Sequence, residues 1–279
     1  MATDRPLSSA PVGLFDSGVG GLSVWREVRR QWPAESTIYF ADQAHIPYGP
    51  RPPTEILHYA EAITVHLLDL GCKAIVVACN AASAAALYAL RSRFPQIPFI
   101  GMEPAVKPAA KATQSRVVGV LATPGTLAGA LFAQTAQRYA ADVRLINQPC
   151  PGLVEQIEAG RLESPDTEAL LRDLLAPMLD AGADRIVLAC THYPFVAPLI
   201  ARIAGAGVTI IDPAPAVARQ LGRVLETRTL ANDGRGCPRH RFLSSGEPAH
   251  LETAIEQLLG LHFPAQTLPW TSELRLSTS

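Results

Sequence analysis

The sequence predicts an α/β fold with mostly parallel strands, arranged as two halves. Two observations carry this. Short β-branched apolar runs alternate with helical patterns through most of the 279 residues, the pattern of β-α units feeding a parallel sheet. One such run also occurs twice. Ala74-Ile75-Val76-Val77-Ala78-Cys79-Asn80 and Arg185-Ile186-Val187-Leu188-Ala189-Cys190-Thr191 both turn polar directly after Ala-Cys, and each follows an apolar helical pattern closed by glycine, Gly71 or Gly182. Continuous apolar runs of this length read as strands buried on both faces. Cys79 and Cys190 then lie at the carboxyl ends of strands, where open α/β sheets bind ligands. The repeat implies a duplicated unit with one thiol per copy, the two facing each other across a shared substrate.

Composition sets the bounds. The length suits one large or two ordinary α/β domains. A hydrophobic share of 48% and a mean hydropathy of +0.15 allow a substantial core. A net charge of −1 and a pI near 6.7 argue for neither a nucleic-acid partner nor a membrane surface. No apolar run reaches the roughly 18 residues of a membrane span, and residues 1–11 lack the pattern of a signal peptide. The five cysteines, Cys72, Cys79, Cys150, Cys190 and Cys237, are scattered and odd in number. They read as reduced thiols of a cytoplasmic protein. No Cys-x-x-Cys occurs, which disfavours a thiol–disulfide oxidoreductase. His45, His58, His66, His240, His250 and His262 show no metal-ligand spacing, so no metal site is expected.

Taken in order, residues 1–10 are expected to be a disordered leader. Val12 to Asp16 is a strand, Ser17 to Gly21 a glycine-rich turn, and Leu22 to Trp32 an amphipathic helix. The turn lacks the spacing of a phosphate-binding loop, so its glycines are read as permitting close backbone approach. A strand over 36–41 runs into a loop with four prolines, Pro47, Pro50, Pro52 and Pro53; a loop of that length is functional or mobile. Thr54 is expected to cap the next helix, whose buried face carries Ile56, Tyr59, Ile63, Leu67 and Leu70. Strand 74–79, helix 82–92 and strand 97–102 follow, then a helical segment carrying Lys107 and Lys111. Further on come strand 116–122, helix 127–139, strand 142–147, helices 151–160 and 167–181, strand 185–190 and strand 208–212. Helix 214–227, strand 240–245 and helix 248–260 complete the chain, with a fraying tail from Trp270. Strand ends joined to proline at Met102-Glu103-Pro104 and Ile211-Asp212-Pro213 mark the crossings. They divide the chain into a first domain of residues 1–102 plus 212–279 and a second of 103–211.

Two thiols at facing strand ends suit stereoinversion at carbon. One base removes a proton, and the protonated second returns one from the far side, each within reach of the carbon acid. A free thiol has a pKa near 8.5 and needs a helix N-terminus or a cationic neighbour to act. Both cysteines precede helix starts, whose N–H groups also hold carboxylates. Asp16 can serve the Cys79 side and His192 the Cys190 side. A pyridoxal route needs a lysine, and none of the three lysines has a seat beside the thiols. Lys73, at the far end of the Cys79 strand, is roughly 20 Å away. The chemistry expected is cofactor-free.

Phe15-Asp16-Ser17-Gly18-Val19-Gly20-Gly21-Leu22, Pro47-Tyr48-Gly49-Pro50-Arg51, Ala78-Cys79-Asn80, Thr123-Pro124-Gly125-Thr126, Gly152-Leu153-Val154-Glu155 and Ala189-Cys190-Thr191-His192-Tyr193-Pro194 together resemble the motifs of the glutamate racemase family, within the aspartate/glutamate racemases. They run in order from about Val12 to Asp212. The resemblance implies two pseudo-symmetric three-layer α/β domains with the active site in the cleft between them. It also implies cofactor-independent interconversion of L- and D-glutamate, which supplies D-glutamate for peptidoglycan, and a homodimer. By motif, Cys79 would act on D-glutamate and Cys190 on L-glutamate, with Asp16 and His192 assisting and Glu155 supporting His192. Asp16, Ser17, Tyr48, Gly49, Asn80, Ala81, Thr123, Thr126, Thr191 and His192 would bind substrate. The family has threonine where this chain has Ala81. The lost hydroxyl bond is worth roughly 1.5–3 kcal/mol, unless a neighbour such as Ser83 replaces it. Two other readings stay open: a related amino-acid or hydantoin racemase, and a non-catalytic two-domain binder of a small acid. Cys72, Cys150 and Cys237 are read as core filler or surface thiols.

Overall fold

The computed structural model describes residues 7–271 and 276. The elements run β1 (Val12–Asp16), α1 (Leu22–Gln31), β2 (Thr37–Ala41), α2 (Pro53–Asp69), β3 (Ala74–Val77), α3 (Asn80–Arg93), β4 (Phe99–Gly101), α4 (Val106–Ala112), β5 (Val117–Ala122), α5 (Pro124–Ala128) and α6 (Ala130–Tyr139). They continue with β6 (Arg144–Pro149), α7 (Leu153–Glu158), α8 (Pro165–Asp180), β7 (Arg185–Ala189), α9 (Ala197–Ala204), β8 (Thr209–Ile211), α10 (Ala214–Thr227), β9 (His240–Ser244), α11 (Pro248–Leu259) and β10 (Ala265–Thr267).

The strands form two sheets, a six-stranded one in the order β10-β9-β2-β1-β3-β4 and a four-stranded one in the order β6-β5-β7-β8. Neighbouring strands within each sheet are parallel. Side-chain alternation then assigns the layers. In the larger sheet Phe15, Ile38, Phe40, Ile75 and Val77 face α2 and α3 through Ile63, Leu67, Ala86 and Leu90. Their neighbours Leu14, Tyr39, Val76 and Phe242 face α1, α10 and α11 through Trp25, Leu221 and Ile255. In the smaller sheet Val118, Val120 and Val187 face α4 and α6, while Leu121, Ile186 and Leu188 face α7, α8 and α9. Each sheet is thus sandwiched between helices. The α1/α10 layer of one and the α7/α8/α9 layer of the other belong to a single continuous core.

Helix α10 returns to the larger sheet after β8 has closed the smaller one. The Trp32 indole donates to the Ala218 carbonyl (2.9 Å), and the ring lies so close to Gly222 that any Cβ there would overlap it.

The sequence expectations need several corrections. Residues 7–9 form a 3-10 turn rather than a disordered leader. The Lys73 ammonium holds it by bonding the Ser8 carbonyl (2.6 Å) and the buried Glu35 carboxylate (2.5 Å). The remaining leader residues, 1–6, lie outside the described set. Thr54 does not cap α2, which starts one residue earlier at Pro53, because proline's fixed φ suits a first helical position. The helix expected over 127–139 is two helices, interrupted by an extended Gly129 that packs against Ala84 of α3. Both cysteine strands stop short of their thiols: β3 ends at Val77 and β7 at Ala189. Strand β10, with no strong apolar pattern, escaped the sequence reading. Of the tail, 272–275 and 277–279 lie outside the described residues, and Trp270 bridges Leu276. No helix among the described residues is long and apolar enough to cross a membrane.

Candidate active site

Four strand ends converge on one small cavity. β1 delivers Ser17, while the adjoining Asp16 is buried and does not itself line the cavity; β3 delivers Cys79 to Ala81, β5 delivers Thr123 and Thr126, and β7 delivers Cys190 to His192. Ser17, Tyr48, Gly49, Cys79, Asn80, Ala81, Thr123, Thr126, Cys190, Thr191 and His192 all line it, with Pro47 and Val154. Both expected thiols therefore open onto the same space, one from each sheet.

Cys79 is the N-cap of α3, and its sulfur accepts from the Ala82 N–H (3.5 Å). Burial pushes this thiol well above its ordinary value, and the neighbouring Asp16 carboxyl adds to that; the Ala82 N–H works the other way. Asp16 is fully buried. Its carboxylate accepts from the Ser17 hydroxyl (3.0 Å) and the Thr191 hydroxyl (2.7 Å), so it joins the two halves directly. Burial raises its pKa, against the pull of His192 and the two hydroxyls.

The Cys190 sulfur lies 3.7 Å from His192 Nδ1, and His192 Nε2 lies 2.6 Å from the Glu158 carboxylate. Burial alone would lower the imidazole. The bonds to Cys190 and Glu158 outweigh it, and His192 is held well above the ordinary histidine value. The two sulfurs thus have unlike neighbours, an imidazole bonded to Glu158 beside one and a buried carboxyl beside the other.

The acid that supports His192 is Glu158, not Glu155. Glu155 is exposed on the outer side of α7, whereas Glu158, three residues on, reaches inward and also accepts the Val19 N–H (2.8 Å). The helical phase of α7, with Val154 and Ile157 on the buried side, places Glu158 inward, though it does not say what Glu158 meets there. Gly18 and Gly20 allow this convergence. A Cβ on Gly18 would strike the Glu158 carboxylate, and one on Gly20 the His192 ring. The glycine-rich turn is a seat for residues of the opposite sheet.

Asn80 is buried with neither amide atom hydrogen-bonded. Buried polar groups are satisfied as a rule, so an unpaired amide on a cavity wall points to a ligand. Ala81 lines the cavity as well, and Ser83 does not replace its missing hydroxyl. That hydroxyl donates to the Val77 carbonyl (3.1 Å) and accepts the Met102 N–H (2.9 Å), on the side facing β4. Thr123 and Thr126 bond each other (3.0 Å) at the cap of α5. Cys72 and Cys150 are buried thiols pushed up to about 12 by burial, as inert core cysteines are. Cys237 is exposed and does not line the cavity. Among the described residues no group of three His, Cys, Asp or Glu side chains could hold a metal ion.

Paired parallel sheets with helices on both faces are the fold this chain shares with solved glutamate racemases. The description of the Asp/Glu/hydantoin racemase family matches residues 14–221, and the chain belongs to that family. Among curated relatives, the glutamate racemase of Pseudomonas paraeruginosa is 54% identical over 252 residues, covering 90% of this chain and 95% of that protein. Among solved structures, the Francisella tularensis glutamate racemase in complex with D-glutamate has a TM-score of 0.82 at 30% identity, covering 94% of this chain and 98% of its own. The Escherichia coli glutamate racemase in complex with L-glutamate has a TM-score of 0.83 at 29% identity, covering 96% of this chain and 100% of its own.

Proposed function

We propose that this protein interconverts L- and D-glutamate by a two-base transfer between Cys79 and Cys190, without a cofactor. The observation that carries the reading is the pair of sulfurs on one cavity with unlike partners. In one direction the Cys190 thiolate, stabilised by the His192 imidazolium, takes the α-proton of L-glutamate and becomes a thiol. The Cys79 thiol then gives its proton to the opposite face of the planar carbanion. In the other direction the roles exchange, and Cys79, with Asp16 beside it, acts on D-glutamate. Each cycle begins with one thiolate and one thiol and ends with them exchanged, so protons balance. The substrate's carboxylates and ammonium are taken by Ser17, Asn80, Thr191 and the N–H groups near Tyr48, Gly49 and Ala81, with Thr123 and Thr126 on the facing wall. Substrates of the Francisella tularensis and Escherichia coli relatives support glutamate as the amino acid.

The free space in the cavity is about 20 Å³, room for about one water molecule. Glutamate needs several times that, so the halves part to admit it. The two sheets support a division into 1–102 with 212–279, and 103–211, hinged at the two crossings. The protein works in this reading as a cytoplasmic homodimer that supplies D-glutamate for peptidoglycan.

The test is exchange in D2O. Deuterium should enter Cα of glutamate on turnover without added cofactor, and Cys79→Ser and Cys190→Ser should each abolish racemisation. Exchange of aspartate in place of glutamate would redirect the substrate. Full activity in either serine variant would remove the two-base mechanism.

A further inference from the structure

Asp42 lies one residue past the end of β2 and is fully buried. Its carboxylate accepts four separate donors. Oδ2 takes the Tyr48 hydroxyl (2.6 Å) and His45 Nδ1 (3.0 Å). Oδ1 takes the Ser245 hydroxyl (2.7 Å) and the Trp270 indole N–H (2.7 Å). Its backbone N–H bonds the Asp16 carbonyl (2.9 Å). The donors come from three distant pieces of chain: the proline loop, the end of β9 and the segment after β10. Rings fill the space around them. His45 stacks on Tyr59 at 3.9 Å, Trp270 meets His45 edge-on at 5.1 Å, and Tyr48 stacks on Tyr59 at 5.8 Å. A buried carboxylate is costly unless donors surround it, and here the donors converge on one side chain.

The consequence for the site runs through Tyr48. Pro47, Tyr48 and Gly49 form one wall of the cavity, yet the Tyr48 hydroxyl is spent on Asp42. The wall's position is therefore set from behind. Among the described residues no carbonyl takes up the N–H of Tyr48 or Gly49, which leaves two donors for an anionic substrate.

We infer that Asp42 is a positioning residue for substrate binding: it pins the Pro47–Tyr48–Gly49 wall to the strand end that carries Asp16, and it ties that wall to the C-terminal segment through Ser245 and Trp270. The inference rests on the glutamate reading above. Its signature is a loss of binding rather than of chemistry, since Asp42 touches neither sulfur.

Racemisation by the full chain, measured from both enantiomers, decides it. Asp42→Asn should raise KM about tenfold or more in both directions and lower kcat by less than about threefold. Tyr48→Phe should raise KM likewise. The double variant should be no worse than Asp42→Asn alone, because both act on one shared bond. Loss of kcat with KM unchanged, or two effects that multiply, would overturn the role. Should Asp42→Asn fail to fold, Ser245→Ala and Trp270→Phe each remove a single donor. A rise in KM in them supports the role, and an unchanged KM overturns it. A wild-type chain that leaves the α-hydrogen of glutamate unexchanged overturns the glutamate reading and this inference together. An active wild type with an unchanged KM in Asp42→Asn overturns only the inference.

Discussion

Asp16 is buried as a carboxyl that favours its protonated form, and this has a measurable cost. Its folded pKa is raised from an ordinary 3.8 by burial. Between that value and the higher folded one, the folded state keeps a proton that the unfolded state releases. Stability contributed by the group is full below 3.8 and falls as pH rises through the folded pKa. Asp16→Asn keeps the shape and removes the titration. Thermal unfolding followed from pH 4 to pH 7 should show the variant gaining on the wild type as pH rises, while racemisation falls at every pH. A constant difference in melting temperature across that window would mean that burial does not raise the Asp16 pKa in the fold. His192 stands in contrast, since its partners hold its proton where burial alone would expel it.

At the scale of elements, the turn between β1 and α1 decides whether the second half of the site can assemble. The Ser23 hydroxyl bonds the Thr191 carbonyl (2.8 Å) from the first turn of α1, and Gly20 lies under the His192 ring. Gly20→Ala would push the ring off its seat, at an overpacking cost of about 1–3 kcal/mol. Racemase kcat/KM should drop about tenfold or more, with a lower melting temperature. Gly207→Ala is the control, because a Cβ there meets nothing within 4 Å, and it should leave both unchanged. Equal behaviour of the two variants would show that the turn does not position His192. The glycines of this turn were legible as a site of close approach, but what approaches was not. Glu158 reaches Val19 from 139 positions away, and no local pattern records that meeting.

At the scale of the molecule, two α/β sandwiches share one core between the α1/α10 layer of one and the α7/α8/α9 layer of the other, and carry the thiols just past the carboxyl ends of their strands. Across the mouth of the cavity the halves touch through backbone. A Cβ on Gly125 of α5 would collide with the Gly49 carbonyl of the proline loop. Gly125→Ala should therefore hold this edge open, raising KM several-fold with little change in melting temperature, since the contact lies outside the core. Steady-state kinetics beside a thermal scan would check this, and an unaffected KM would mean that closure does not depend on that contact.

The sequence by itself determined the alternation of strand and helix and the two thiols at strand ends, while most of the cavity wall was legible only through the resemblance to a known family. These depend on periodicity and on motifs a few residues long, which encode local geometry directly. It misjudged features that local pattern does not report, namely the break at Gly129, the ordered turn over 7–9 and strand β10. Only the tertiary structure decided which carboxylate meets His192, where the Ser83 hydroxyl is spent and how Asp42 gathers Tyr48, Ser245 and Trp270. Those pairings depend on how two separately formed sheets dock, because side chains as far apart as Asp16 and Thr191, 175 positions along the chain, meet only once the shared core has fixed that geometry.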